Sequence, residues 1–316
     1  MVIDDKEFDG HGRFPRIEGM WNAGCSVQQN VMTIPESGTS MKGGDGPQGL
    51  WSGLAAAILS EASGVVAVAK PAGVPTQAPP GIPSMESWLR QRLTADDSRG
   101  SAYVGIPHRL DRAVSGLLLL ATTPRAARKL SRQFERREIG KRYLALLALD
   151  GSSAGLAARA VLESSPAGVE WRDLLEKIPN EPRARIVPET DGGGREAVTR
   201  AGLLGILTTG ELLVALEPST GRMHQLRLQA ASRGLPIVGD ELYAPVTTAV
   251  SNLTSTGPFG PAVVDPRQRA IALHASRLTY ADPETLLLTT VEAPPPSFWP
   301  AEALAVITSA TADTRS

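Results

Sequence analysis

Pro107-His108-Arg109-Leu110-Asp111-Arg112-Ala113-Val114-Ser115-Gly116-Leu117-Leu118-Leu119-Leu120-Ala121 passes from a loop dense in charge to a run too apolar to lie on a surface. The run from Gly116 to Ala121 has the length of a buried strand. Thr123-Pro124 then opens a helix that reaches about Arg137, with Thr123 as N-cap, Pro124 in the first helical position, and Ala126, Ala127, Leu130 and Phe134 as its apolar stripe. The loop carries the chemistry-bearing side chains, and the strand and helix hold it.

The same alternation extends outward. Gly64 to Ala69 is a β-branched run closed by Lys70-Pro71-Ala72-Gly73, the mark of a buried strand entering a loop. Ser84-x-x-Ser87 opens an amphipathic helix to Leu93. Lys141–Leu149, Glu196–Leu204, Glu211–Glu217 and Leu286–Val291 read as further strands, and Gly221–Arg233 as a helix. Strands separated by single helices and irregular crossings, without strict βαβ alternation, predict an α+β body rather than a doubly wound parallel sheet. Leu149 to Gly194, rich in Gly, Pro and Ala, is the expected place for loops or an insertion. Residues 1–53 read as a flexible or partly ordered extension, 54–300 as the main folded domain, and 301–316 as a tail.

Composition narrows the function. The 316 residues hold 32 Lys plus Arg against 33 Asp plus Glu and are 42% hydrophobic, too balanced for a basic tail protein and too apolar for an acidic disordered scaffold. The single cysteine, Cys25, excludes an intramolecular disulfide and a Cys-rich zinc site. No window approaches the roughly eighteen apolar residues of a membrane span, and Asp4, Asp5, Glu7 and Asp9 do not fit a basic signal-peptide start. A soluble, cytoplasmic protein is expected.

Overall neutrality hides a local excess. Between Arg109 and Arg142, ten basic side chains face three acids, a charge of +7. A basic run taken alone is a solvated helix face, but a segment of that sign can also carry the electrostatic part of phosphate-backbone binding.

Asp111 stands at the mouth of a core, where a carboxylate is costly unless cations or backbone donors pair with it. Arg109 and Arg112 are its neighbours in sequence. His108, His224 and His274 lack metal-ligand spacing, and Ser115-Gly116 lacks the Gly-x-Ser-x-Gly elbow of a serine hydrolase. On a helix starting near Gly221, Arg222 would occupy the first turn and reach back across the sheet, with His224 and Arg227 close to one face. Gly239-Asp240 reads as a tight turn.

Together these segments resemble the RluA-like pseudouridine synthases. His108-Arg109-Leu110-Asp111 followed by Ser115-Gly116-Leu117-Leu118-Leu119 is similar to that family's catalytic motif. Lys70-Pro71-Ala72-Gly73-Val74-Pro75, Lys141-Arg142-Tyr143, Thr220 to Arg227, and Leu273-His274-Ala275 with Pro294-Pro295-Pro296 match its other signatures in order, over about residues 55–300. The resemblance implies a mixed, mostly antiparallel sheet with a central cleft, no cofactor or metal, and an RNA substrate, rRNA or tRNA, for a monomeric enzyme. It implies Asp111 as the catalytic carboxylate, Tyr143 as the ring lying against the target base, and Arg222 as the partner that salt-bridges Asp111. Arg109 would help open the RNA, and His108, Arg112, Lys141, His224, Gln225 and Arg227 would bind it. Two positions depart from the family pattern: Val114 replaces a threonine and Gln229 a histidine. The alternative is a catalytically silent RNA-binding or RNA-chaperone protein on the same fold.

Overall fold

A computed structural model describes residues 56–96, 102–244 and 269–313; the expected extension over residues 1–53 lies outside them. The apolar run is β3 (Ser115–Ala121), all seven residues buried. It pairs antiparallel with β2 (Val65–Lys70), setting Val66 opposite Leu120 and Val68 opposite Leu118. Both strands lie within the core, so neither alternates with polar residues.

α1 (Met85–Asp96) begins at a reciprocal cap, in which the Ser84 and Ser87 side chains each accept the other's backbone N–H. α2 (Pro124–Arg136) starts on the Thr123 hydroxyl, which accepts the Ala126 N–H, and stops where Arg137 turns left-handed. Ala126, Ala127 and Leu130 face inward, and Gln133 bonds both the N–H and the carbonyl of Ala281.

The sheet continues through β4 (Gly140–Leu147), β5 (Val169–Lys177), β6 (Ala184–Val187), β7 (Arg195–Ile206), β8 (Leu212–Pro218), β9 (Leu273–Ala281) and β10 (Leu288–Glu292). With β1 (Ala57–Ala62) at one edge, its order is β1-β2-β3-β9-β4-β8-β7-β5-β6, and β10 pairs β9. Among these strands only β3 and β9 run parallel, over Ser115 with His274 and Gly116 with Ala275. Gly116 has φ +114°, and a Cβ there would lie 2.3 Å from the Ala275 carbonyl oxygen, so only glycine fits this contact. Ser115 Oγ and the carbonyl of Ala293 hold the buried His274 ring on both nitrogens, at 2.9 and 3.0 Å. β10 takes over along the rest of the β9 edge that β3 leaves. The result is the expected α+β fold with a mixed, mostly antiparallel sheet.

Three expectations are corrected. Leu149–Gly194 is ordered: it holds α3 (Ser153–Glu163), β5 and β6. Small residues hide α3, because Gly155 lets the helix approach the Gly234 carbonyl, where a Cβ would sit at 2.5 Å. The supposed tail is α5 (Ala301–Asp313), with Ala303 and Ile307 buried one turn apart and Glu302 accepting from Thr208. The helix expected over Gly221–Arg233 is α4 (Gln225–Ala231), which begins four residues later.

Candidate active site

The Asp111 loop is strapped to the loop after β2. Thr76 Oγ1 bonds both the carbonyl and the N–H of Leu110, at 3.0 and 3.1 Å. Arg112 Nε donates to the Gly73 carbonyl and Gly73 N–H returns to the Arg112 carbonyl, both at 2.7 Å. The buried Lys70 ammonium gives its three protons to the carbonyls of Pro71, Val74 and Arg112, at 2.9, 2.8 and 3.2 Å. Burial lowers the Lys70 pKa to about 7, opposed by the Asp111 charge. Asp111 thus sits between two anchored residues while its own side chain stays 36% exposed.

The opposite wall is α4 and the turn before it. The Gln225 carboxamide folds that turn: its oxygen accepts from Thr220 Oγ1 and the Arg222 N–H, and its nitrogen donates to Thr199 Oγ1 and the Val198 carbonyl on β7. His224 takes a left-handed backbone with φ +53°. Arg227, in the first turn of α4, forms a bidentate pair with the buried Asp240 at 2.7 and 2.7 Å, and its third nitrogen reaches Asp111 Oδ2 at 3.3 Å. His224 Nε2 stands 3.6 Å from the same oxygen, and its Nδ1 lies 2.8 Å from the Tyr243 hydroxyl. A pocket of about 290 Å³ opens against Arg227, lined by Ala113, Asp240, Leu242 and Ile271.

The partner of Asp111 is therefore Arg227, and the expectation for Arg222 is corrected. Because α4 starts late, Arg222 lies on the preceding loop, where its Nε donates to the Glu196 carbonyl at 2.9 Å. Desolvation, then the charges of Arg137 and Arg195, push its pKa down.

Tyr143 reaches the site through β9. Gly116 and Tyr143 both pair with Ala275, one from each side, so the loop preceding β3 and the ring on β4 share one row of the sheet. A bulge beside Tyr143 leaves Ser276 as the extra residue, its hydroxyl donating to the Arg142 carbonyl. Burial, then the Asp111 charge, raise the Tyr143 pKa, so its hydroxyl stays protonated.

The other expected RNA contacts divide. Arg109 is exposed in the loop before β3. His108 turns inward, its Nε2 accepting the Leu119 N–H at 2.9 Å and its ring stacked 4.4 Å from Phe134. Burial and nearby Lys141 lower its pKa to about 3. Arg112 and Gln225 are spent on internal bonds. Lys141 donates to the Thr220 carbonyl and is lowered to about 8 by burial and then by Arg137. Val114 and Gln229 are both buried; Gln229 bonds Thr199 and Asp173, packing α4 onto β7 and β5. Lys70, Asp240 and Tyr243 also build the site, in roles that the sequence did not show: Lys70 stood in a matched signature with no role, Asp240 in an expected turn, and Tyr243 just after it. Among the described residues no cluster of three or more His, Cys, Asp or Glu side chains is placed to hold a metal ion.

The arrangement offers one accessible carboxylate, charge-paired by a fixed guanidinium, with an aromatic ring near enough to feel its charge and whose hydroxyl keeps its proton. That equipment suits nucleophilic or general-base chemistry on a substrate with a flat ring.

A family model described as RNA pseudouridylate synthase matches residues 64–232. The dual-specificity RNA pseudouridine synthase RluA of Haemophilus ducreyi is 32% identical over 235 residues, covering 73% of this chain and 89% of that protein. Its counterpart in Escherichia coli K12 is 30% identical over 231 residues, covering 72% and 87%. The solved structure of human RNA pseudouridylate synthase domain containing 4 shares the fold, with a TM-score of 0.59 at 21% identity over 79% of this chain and 92% of that one.

Proposed function

The chain belongs to the RNA pseudouridylate synthase family and isomerises uridine to pseudouridine in RNA, and from that premise we propose that Asp111 is the carboxylate that carries the chemistry. The observation behind this reading is the 3.3 Å contact from Arg227 to an Asp111 oxygen, on a loop anchored at both neighbouring residues. The reaction cuts the bond from N1 to C1′, turns the uracil while it stays trapped, and joins C5 to C1′. Asp111 serves by attacking C1′ or by removing a ribose proton, and either role requires the ionised form.

The target carbon is out of reach in a stacked helix, so the nucleotide is flipped out at a cost of a few kcal/mol. The Tyr143 face recovers roughly 1–3 kcal/mol by stacking on the base, and Arg109 enters the space left behind. Flanking phosphates lie along the exposed Arg125, Arg128, Arg132 and Arg136 of α2 and the Arg137, Lys141, Arg222 group. The substrate is rRNA or tRNA. The dual-specificity names of the relatives favour more than one modified site for this chain as well. Among the described residues no helix is long and apolar enough to cross a membrane, and we read the enzyme as a cytoplasmic monomer.

Asp111→Asn should fold with the parent's Tm and release no tritium from 5-labelled uridine in RNA. A parent-like rate in that variant would overturn the assignment.

A further inference from the structure

Asp111 meets two cation-side groups, and both approach one oxygen: Arg227 at 3.3 Å and His224 Nε2 at 3.6 Å from Oδ2. The second contact is longer than a hydrogen bond, so its sign depends on whether Nε2 presents a proton or a lone pair. The Tyr243 hydroxyl decides this. It accepts the Ala184 N–H at 2.9 Å, and its other partner among the described residues is His224 Nδ1 at 2.8 Å. Burial raises the Tyr243 pKa, so the hydroxyl keeps its proton. With a backbone donor already on the oxygen, that proton goes to Nδ1, and the imidazole proton is left on Nε2. The opposite tautomer would turn the hydroxyl proton away from Nδ1 and aim a lone pair at a carboxylate. Arg227 and Arg183 lie over the Tyr243 ring at 5.4 and 5.9 Å and hold it in place.

We propose that the Ala184 N–H, the Tyr243 hydroxyl and the His224 imidazole form a tautomer lock, in which Tyr243 and His224 are positioning residues that turn an N–H toward Asp111 Oδ2 and leave Oδ1 as the oxygen that meets the nucleoside. It rests on the reading of Asp111 as the catalytic carboxylate. The groups facing His224 are Asp111 from the loop before β3, Arg227 from α4, and Asp240 and Tyr243 from the segment after α4. Asp111 also favours a proton on Nε2 but at 3.6 Å stands beyond hydrogen-bond reach, so the Tyr243 hydroxyl, 2.8 Å from Nδ1, is the group that sets the tautomer. His224 has a left-handed backbone, and its ring is hydrogen-bonded through Nδ1 to Tyr243 with Nε2 facing Asp111.

The test uses the full-length protein labelled with ¹⁵N, with the ring nitrogens of His224 assigned by their loss in His224→Gln. Long-range proton–nitrogen spectra should show Nδ1 unprotonated and Nε2 protonated in the parent, and averaged positions in Tyr243→Phe. A parent spectrum with the proton on Nδ1 would overturn the proposal. In single turnover at saturating RNA, Tyr243→Phe should slow the reaction by about tenfold to a hundredfold while RNA affinity stays within about twofold. In a His224→Gln background, whose amide carries its own N–H, adding Tyr243→Phe should cost less than about twofold. An equal loss in both backgrounds would mean that Tyr243 acts by packing, and the lock would be wrong. If Tyr243→Phe keeps the parent rate while Asp111→Asn is inactive, the lock fails and the functional reading stands; an active Asp111→Asn sinks the functional reading itself.

Discussion

The two walls around Asp111 are held by different forces. On the β2 and β3 side, Lys70, Thr76, Gly73 and Arg112 bond almost entirely to backbone, so that wall fixes where the carboxylate sits. On the α4 side, a single guanidinium joins two carboxylates, and that wall fixes the charge the carboxylate meets. Position is shared among several hydrogen bonds, each replaceable in part. Charge depends on Arg227.

The sharpest test of that contrast is Arg227→Met against Arg222→Gln. The first leaves Asp240 buried without its cation and should cost about 3–5 kcal/mol in urea denaturation, together with loss of turnover. Adding Asp240→Asn should recover part of the stability and none of the activity. Arg222→Gln, which removes one bond to a carbonyl, should stay within about 0.5 kcal/mol. Equal losses from the two arginines would erase the distinction between the walls.

Next in size is Lys70→Met, which leaves three carbonyls without their donor and should cost about 3 kcal/mol at neutral pH. Its pH signature has a definite sign. Unfolded Lys70 keeps its proton to about 10.5 and folded Lys70 releases it at about 7, so between those values the unfolded chain binds more protons and stability rises with pH. The variant should lack that rise in a series of urea melts.

On the acid side, His108 and His274 are lowered to about 3 and about 4 from 6.5. The unfolded chain takes up protons that the folded one refuses, so stability falls as the pH drops below 6.5, by about 1 kcal/mol per histidine at pH 5.5. His108→Gln keeps an acceptor for the Leu119 N–H and cannot titrate, and should make that fall shallower. The smallest effect belongs to neither wall. Replacing Arg125, Arg128, Arg132 and Arg136 by Gln should raise KM and flatten the salt dependence of RNA binding by about 0.7–0.9 in log–log slope for each phosphate that no longer meets a cation.

Legibility followed the range of the forces. α2 could be read because Thr123, Pro124 and its inner stripe are local signals, and β2 and β3 because unbroken apolar runs cannot lie at a surface. α3 and α5 could not, since their inward residues are small or few, and the contacts that justify them, with Gly234 and with β7, lie far away in sequence. The misassigned arginine has the same cause. A helix start at Gly221 is reasonable locally, but the Gln225 carboxamide bonds to β7 and holds Thr220 to Met223 as a turn. Arg227 then faces Asp111, and Arg222 is left outside.

The sequence by itself determined the chemistry available: one carboxylate in a cation-rich loop before a buried strand, a tyrosine at the start of another strand, and an α+β body to carry them. Only the tertiary structure decided which cation meets that carboxylate, that Ala275 brings Tyr143 into line with Gly116, and that Tyr243 stands behind His224. Residue type fixes charge and hydrogen-bonding capacity, but a partner is chosen by distance, and distance between segments a hundred residues apart is set by strand register and packing.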